Sequence, residues 1–265
     1  MSTLDQLLIE WFSSLLPAKT TPLVVGLSGP QGCGKSTVAQ SIATQMHPQV
    51  LVLSLDDFYL AKAERKRLAA TVSPIFATRG PPGTHDVNLL KSTLAAFRSS
   101  NPSAHIDLPR FSKKEDDRVE PYCFNDEVPR PKIILVEGWL VGASLAEDFI
   151  SAPPMNATEK SDADCSWRRY QAEQLRGPYA TLWRQMDRFI HIEGPGIDAI
   201  RQWRLQQEAD NLGIPQGSVP LEREHWVAQF IEHFERLTKD MAQGCRTDGA
   251  AVRLNEARQV IEFHP

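Results

Sequence analysis

The chain has 265 residues, 42% of them apolar, enough for the core of one α/β domain with a small lid or cap. Lys and Arg number 29 against 33 Asp and Glu, and a net charge of -4 is not the footprint of a nucleic-acid binder. No stretch reaches about 18 apolar residues, so no membrane span is expected. The four cysteines lie far apart without a CxxC, which sets aside a zinc ribbon or a disulfide framework and fits a reducing, cytoplasmic setting.

At the N-terminus, Leu4, Leu7, Leu8, Trp11, Phe12 and Leu15 recur at helical spacing and predict an amphipathic helix packed on the domain. Asp5 and Glu10, with no basic start, argue against a secretory signal. The apolar run Leu23–Leu27 then predicts a buried strand. It leads into Gly29-Pro30-Gln31-Gly32-Cys33-Gly34-Lys35-Ser36, a full match to G-x-x-x-x-G-K-[ST], followed by the helix-forming run from Thr37. In that strand–loop–helix setting the glycines let successive N–H groups turn inward as an anion nest at a helix N-terminus. Lys35 is placed to reach the β- and γ-phosphates, and Ser36 to put its hydroxyl on Mg²⁺. Cys33, near a helix N-terminus, has either a lowered thiol pKa or the role of a spacer pointing away.

Gln49–Ser54 reads as a second buried strand, ending in Asp56-Asp57-Phe58-Tyr59. Carboxylates at the C-terminal end of such a strand face the ligand crevice of an open α/β sheet. Either Asp56 or Asp57 suits a base that accepts the proton of an attacking hydroxyl. Residues 61–68 read as a charged helix. Residues 78–86 form a Gly/Pro-rich loop carrying Arg79, His85 and Asp86, in which Asp86 is equally a helix cap for residues 87–97 and a ligand. Residues 107–118 hold Arg110, Lys113, Lys114 and Arg118 among acids, read as a solvated surface loop or as a loop closing over an anion. Residues 127–132 read as a linker.

The strand from Lys132 ends in Glu137-Gly138-Trp139, a Walker-B-like element whose acid belongs in the Mg²⁺ shell near Ser36. Residues 151–167 read as a polar surface loop, 173–186 as a helix and 189–192 as a short strand. The helix expected over 197–212 sets Arg201, Arg204 and Glu208 at one helical spacing, as a charge-paired surface helix or as a lid laying arginines on a transferring phosphoryl group. A further helix carries Trp226, Phe230 and Phe234, Ala250–Leu254 reads as the last strand, and Val260–Phe263 as a tail. The guanine-reading N-K-x-D is missing, and the length leaves no room for motor or AAA modules.

The blocks LSLDDFYL, RGPPGTHD, LPRFSKKEDDR, ILVEGW and WRLQQE, spread over most of the chain, resemble the plant and fungal D-glycerate 3-kinases. More distantly they are similar to uridine kinase, phosphoribulokinase and bacterial pantothenate kinase. The resemblance implies Asp56 as general base, Lys35 with Arg201 and Arg204 at the transferring group, and Gly29–Thr37 at the nucleotide. It implies Tyr59, Arg79, His85 and Asp86 at the acceptor, with Asp57 beside them and Arg79, Arg110 and Arg118 as candidates for a carboxylate fork. Glu137 matches the metal-associated acid. The expectation is therefore one three-layer α/β P-loop domain over residues 1–265, with a mainly parallel five-stranded sheet and a helical lid at about 197–218. It would be a kinase using ATP and Mg²⁺ on a small hydroxyl-bearing metabolite such as D-glycerate. The alternatives are a uridine, pantothenate or ribulose-phosphate kinase, or a regulatory protein that binds ATP without transferring phosphate.

Overall fold

The computed structural model describes residues 3–16, 21–99, 105–125 and 129–265. The first elements are α1 (Leu4–Leu15), β1 (Leu23–Ser28), α2 (Lys35–Gln45), β2 (Val50–Ser54), α3 (Lys62–Thr71) and α4 (Val87–Arg98). A hairpin, β3 (Ile106–Ser112) and β4 (Asp117–Phe124), precedes β5 (Ile133–Glu137). Then come α5 (Ala157–Ser161), α6 (Ser166–Gln174), α7 (Ala180–Trp183), β6 (Arg188–Glu193), α8 (Ile197–Leu212), α9 (Leu221–Ala242), β7 (Ala250–Leu254) and β8 (Val260–His264). The start of the 127–132 linker lies outside the described residues.

The main sheet has the order β2-β5-β1-β6-β7-β8. All its pairs are parallel except β7–β8. Strands covered by helices on both faces read as continuous apolar runs, as β1 and β5 do. The register pairs Leu27 with Glu137 and Ser28 with His191, so the carboxyl ends of β1, β5 and β6 share one edge of the sheet. Asp56 follows β2 at that same edge. On one face, Leu8 and Phe12 of α1 are fully buried with Val38 and Ile42 of α2. Each such large side chain contributes about 1.5–3 kcal/mol.

Three expectations need correction. The sheet has six strands, because residues 260–264 pair antiparallel with β7 and are not a tail. Residues 107–118 are not a loop but most of a two-stranded hairpin. Ile106, Leu108 and Phe124 anchor it in the core, while its charges cluster at the turn. Residues 151–167 are not a surface loop either. Asn156 caps α5, and the buried Glu159 accepts from Arg236 of α9 at 2.7 Å (Nε) and 2.5 Å (Nη2). A buried charge left without its partner costs about 3–5 kcal/mol, so this pair fixes the segment on α9. The helix expected over 173–186 forms, but with a π turn at Leu175–Tyr179 that contains Pro178.

Candidate active site

The phosphate loop leaves β1 and enters α2 at Lys35. Gly32 (φ 74°) and Gly34 (φ 93°) occupy the left-handed region, which carries little cost only for glycine. Gly32 also lies against α8, where an added Cβ would come within 2.7 Å of the Trp203 backbone. The turn between β7 and β8 closes this junction. Arg258 donates to the Gly32 carbonyl at 2.7 Å and to Gln206 at 2.8 Å, with its guanidinium 5.3 Å from the Trp203 ring centroid. Nothing in the sequence pattern marks Arg258, because its role depends on β8 folding back along β7.

Two clefts meet at the loop. One, of about 410 Å³, is lined by Gly32–Val38 together with Gln206, Asp210 and Arg258. The other, of about 150 Å³, is lined by Gln31, Asp56, Tyr59, Arg79, Lys113 and Trp139, by Arg204, Gln207 and Asn211 of α8, and by Phe230 and Phe234 of α9. Gly32, Lys35, Ser36 and Gln207 belong to both. Lys35 therefore stands at the junction of a loop built for phosphates and a cleft holding a carboxylate. Burial pushes the Lys35 ammonium down, but Cys33, Glu137 and Asp56 together outweigh it and hold the group above its ordinary range. Gly29 and Pro30 line neither cleft and face a separate pocket of about 80 Å³ shared with Ile192, Gly194 and Ile197. Cys33 is buried, and burial pushes its thiol up, so of its two readings the lowered thiol does not hold.

Glu137 ends β5 beside the first turn of α2. Its Oε1 accepts from Ser36 Oγ at 3.1 Å and from Ser54 Oγ at 2.7 Å. Among the described residues no group of three or more His, Cys, Asp or Glu converges as a metal cage. A hydroxyl and one carboxylate at a phosphate loop nonetheless fit Mg²⁺, which takes few protein ligands and completes its shell with water and phosphate oxygens.

The two aspartates separate cleanly. Asp57 Oδ1 accepts from Phe111 N of the hairpin at 3.1 Å. Burial raises its pKa, with Asp56 adding to the rise. Asp56 faces the cleft. Its Oδ1 accepts from Tyr59 Oη at 2.8 Å, and its Oδ2 lies 2.8 Å from Lys113 Nζ. Burial pushes the Asp56 carboxyl up, but Lys113, Lys35 and the Tyr59 hydrogen bond together hold it down at about 2.

Of the residues expected at the acceptor, Tyr59 and Arg79 line the cleft. The others do not. His85 stacks on Tyr59 at 4.6 Å between centroids and bonds through Nδ1 to Tyr179 Oη at 2.6 Å, an alignment set by the π turn. Burial pushes its imidazole down to about 4. Asp86 caps α4 through Leu89 N and pairs with Arg118 at 3.1 Å. Arg118 also donates to the Tyr59 carbonyl at 2.8 Å, so it ties the hairpin to the loop behind Tyr59. Arg110 is exposed on β3, outside the cleft.

The α8 arginines separate as well. Arg204 lines the cleft, pairs with Glu208 at 2.5 Å and sits 5.3 Å from the Phe230 ring centroid. Arg201 is held outside the cleft by Asp198 at 3.3 Å and Glu235 at 3.6 Å. Arg204, Gln207 and Asn211 follow the i, i+3, i+7 rule, a spacing visible in the sequence. Phe230 and Phe234 carried no such signal, and Lys113 was one of a basic cluster with nothing to single it out, because the fold brings each of them in from a distant element.

A family model described as "ATPase family associated with various cellular activities (AAA)" matches residues 25–84, from β1 through the phosphate loop to the Gly/Pro-rich loop. The chain is 30% identical over 226 residues to the uncharacterized kinase mug58 of Schizosaccharomyces pombe, covering 80% of this chain and 78% of that one. It is 27% identical over 201 residues to chloroplastic D-glycerate 3-kinase of Arabidopsis thaliana, covering 71% of this chain and 41% of the relative. Its fold is similar to the solved structure of D-glycerate 3-kinase from Cryptococcus neoformans var. grubii, with a TM-score of 0.76 at 24% identity, over 100% of this chain and 99% of the other.

Proposed function

The chain belongs to the P-loop kinase family of mug58, and from that premise we propose that it transfers the γ-phosphoryl group of ATP to a hydroxyl of D-glycerate or a closely similar hydroxy acid. The observation that carries this reading is the junction at Lys35, where the phosphate-loop cleft opens into the cleft that holds Asp56. A nucleotide in the first cleft and an acceptor in the second would meet at one ammonium group.

In the proposed reaction Asp56 Oδ2 accepts the proton of the acceptor hydroxyl as that oxygen bonds to the γ-phosphorus. The bond from the γ-phosphorus to the β,γ-bridging oxygen breaks, and ADP leaves. Lys35 and the loop N–H groups hold the phosphates in line with the acceptor. Arg204, braced by Glu208 and Phe230, lines the same cleft and would be the lid cation that offsets charge gathering on the transferred group. Ser36 and Glu137 would hold Mg²⁺, which neutralises phosphate charge when bound. Four cations, Lys35, Arg79, Lys113 and Arg204, line the acceptor cleft, a wall better matched to an anionic acceptor than to a nucleoside.

The test is coupled ADP release with Mg²⁺ and ATP, offering D-glycerate beside uridine, pantothenate and ribulose 5-phosphate. The expected result is strong turnover with D-glycerate alone. Turnover with one of the other three would replace the acceptor. Tight ATP binding without turnover of any acceptor would favour a nucleotide-binding regulatory protein.

A further inference from the structure

The general base enters the reaction already paired. Asp56 Oδ1 is taken by the Tyr59 hydroxyl and Oδ2 by the Lys113 ammonium, each at 2.8 Å. An ammonium at hydrogen-bond distance opposes transfer of a proton to that carboxylate, so one partner has to yield before Asp56 can act. Tyr59 is not free to yield. It is buried, stacked on His85 at 4.6 Å and edge-on to Phe111 at 5.1 Å. Lys113 is free to move. It sits at the turn of the β3–β4 hairpin, its side chain is 63% exposed, and its charge rides on a flexible four-carbon stem.

The other cations of the cleft are committed. Arg79 is held by Asp116 at 2.7 Å, and Arg204 by Glu208 at 2.5 Å. Lys35 belongs to the phosphate loop. Among the described residues, Asp56 is the one ion-pair partner of Lys113. An incoming carboxylate can therefore recruit Lys113 without breaking any pair that braces the fold. At the ammonium itself one carboxylate replaces another, and Asp56 is left unpaired at Oδ2 beside the acceptor.

We propose that Lys113 determines acceptor specificity: it masks Asp56 in the empty cleft and passes to the anionic group of the acceptor, so that the base is released by hydroxy acids and not by neutral alcohols. The proposal rests on the reading above that Asp56 receives the proton of a small hydroxyl-bearing acceptor. A neutral polyol has nothing to offer the ammonium and meets a base still paired. A hydroxy acid gains a charge-assisted hydrogen bond and unmasks the base in the same movement.

The experiment is steady-state kinetics with Mg²⁺ and ATP on the wild type, Lys113→Met and Lys113→Arg, with D-glycerate and with glycerol, which lacks the carboxylate. For Lys113→Met, kcat/KM for D-glycerate should fall about 10- to 150-fold, the range for a hydrogen bond to a charged group, with most of the loss in KM. Glycerol turnover should rise above the wild-type level, because the base is no longer paired. Lys113→Arg should restore most of the preference for D-glycerate. Equal losses with both acceptors, an unchanged KM for D-glycerate, or no gain with glycerol would each overturn the proposal. Wild-type enzyme that turns over neither compound would fail the acceptor reading itself, and the masking role would fall with it. That result is distinct from a wild type active on D-glycerate whose Lys113 variants keep its selectivity.

Discussion

Ser36 Oγ donates to Glu137 Oε1 at 3.1 Å, joining the first turn of the phosphate-loop helix to the end of a strand 101 residues further along the chain. In the proposed reaction this carboxylate helps hold Mg²⁺, and Asp56 serves as the base. Glu137→Gln keeps the shape and the bond from Ser36 but removes the negative charge. We expect turnover to fall about ten- to a hundred-fold at low Mg²⁺, with part of the loss recovered as Mg²⁺ is raised. A Mg²⁺ titration of initial rate checks this, and an unchanged Mg²⁺ dependence would remove Glu137 from the metal shell.

The two arginines of α8 should behave differently although they lie one turn apart. Arg204 lines the cleft, whereas Arg201 is paired with Asp198 and Glu235 outside it. Arg204→Met should lower kcat by about 10²–10³-fold, the scale for losing one group that stabilises transition-state charge. Arg201→Met should stay within a few-fold of wild type in kcat, because its charge is paired outside the cleft. Rates of the two purified variants, measured side by side, decide whether α8 closes on the reaction with one arginine or two.

Two buried histidines set an acid limit on the fold. Burial pushes His85 and His191 down to about 4, well below the usual imidazole value. His191 Nε2 faces the Thr247 carbonyl at 2.9 Å and must carry the proton there, so Nδ1 accepts from Ser28 Oγ at 2.6 Å. Between pH 6.5 and pH 4 the unfolded chain binds protons that the folded chain refuses. Stability is therefore fully present above about pH 6.5 and is lost as the pH falls toward 4. By pH 5 each histidine should remove about 2 kcal/mol. Urea unfolding of the wild type and of His85→Gln at pH 7 and pH 5 checks this, and the variant should lose about 2 kcal/mol less over that interval.

The part of the site written in one continuous stretch was legible in the sequence. The loop from Gly29 to Ser36 announces itself because its backbone conformation demands glycine at Gly32 and Gly34. The strand ending in Glu137 is an uninterrupted apolar run, and α8 ends at the residues its pattern indicated. Parts that depend on pairing across the fold were not legible. β8 reads as a tail because an edge strand needs only half-buried residues, and its partner β7 supplies the rest. The hairpin reads as a loop because the charges of its turn outweigh the short alternation at Ile106 and Leu108. Asp86 reads equally as a cap or a ligand and is the cap, and its pairing with Arg118, a fork candidate by resemblance, turns the two into a brace. Lys113 looks like one surface lysine among several until the hairpin sets it against Asp56.

In the proposed reaction Asp56 takes the proton of the acceptor while Lys35 and the loop hold the nucleotide. Single-turnover phosphoryl transfer by Asp56→Asn, with ATP affinity measured on the same preparation, tests it most directly. The substitution keeps the shape of the side chain and its capacity to accept from Tyr59. The rate should fall by about 10²–10⁴-fold with ATP affinity within a few-fold of wild type. Near-normal transfer by Asp56→Asn would contradict it and move the base to another residue of the cleft.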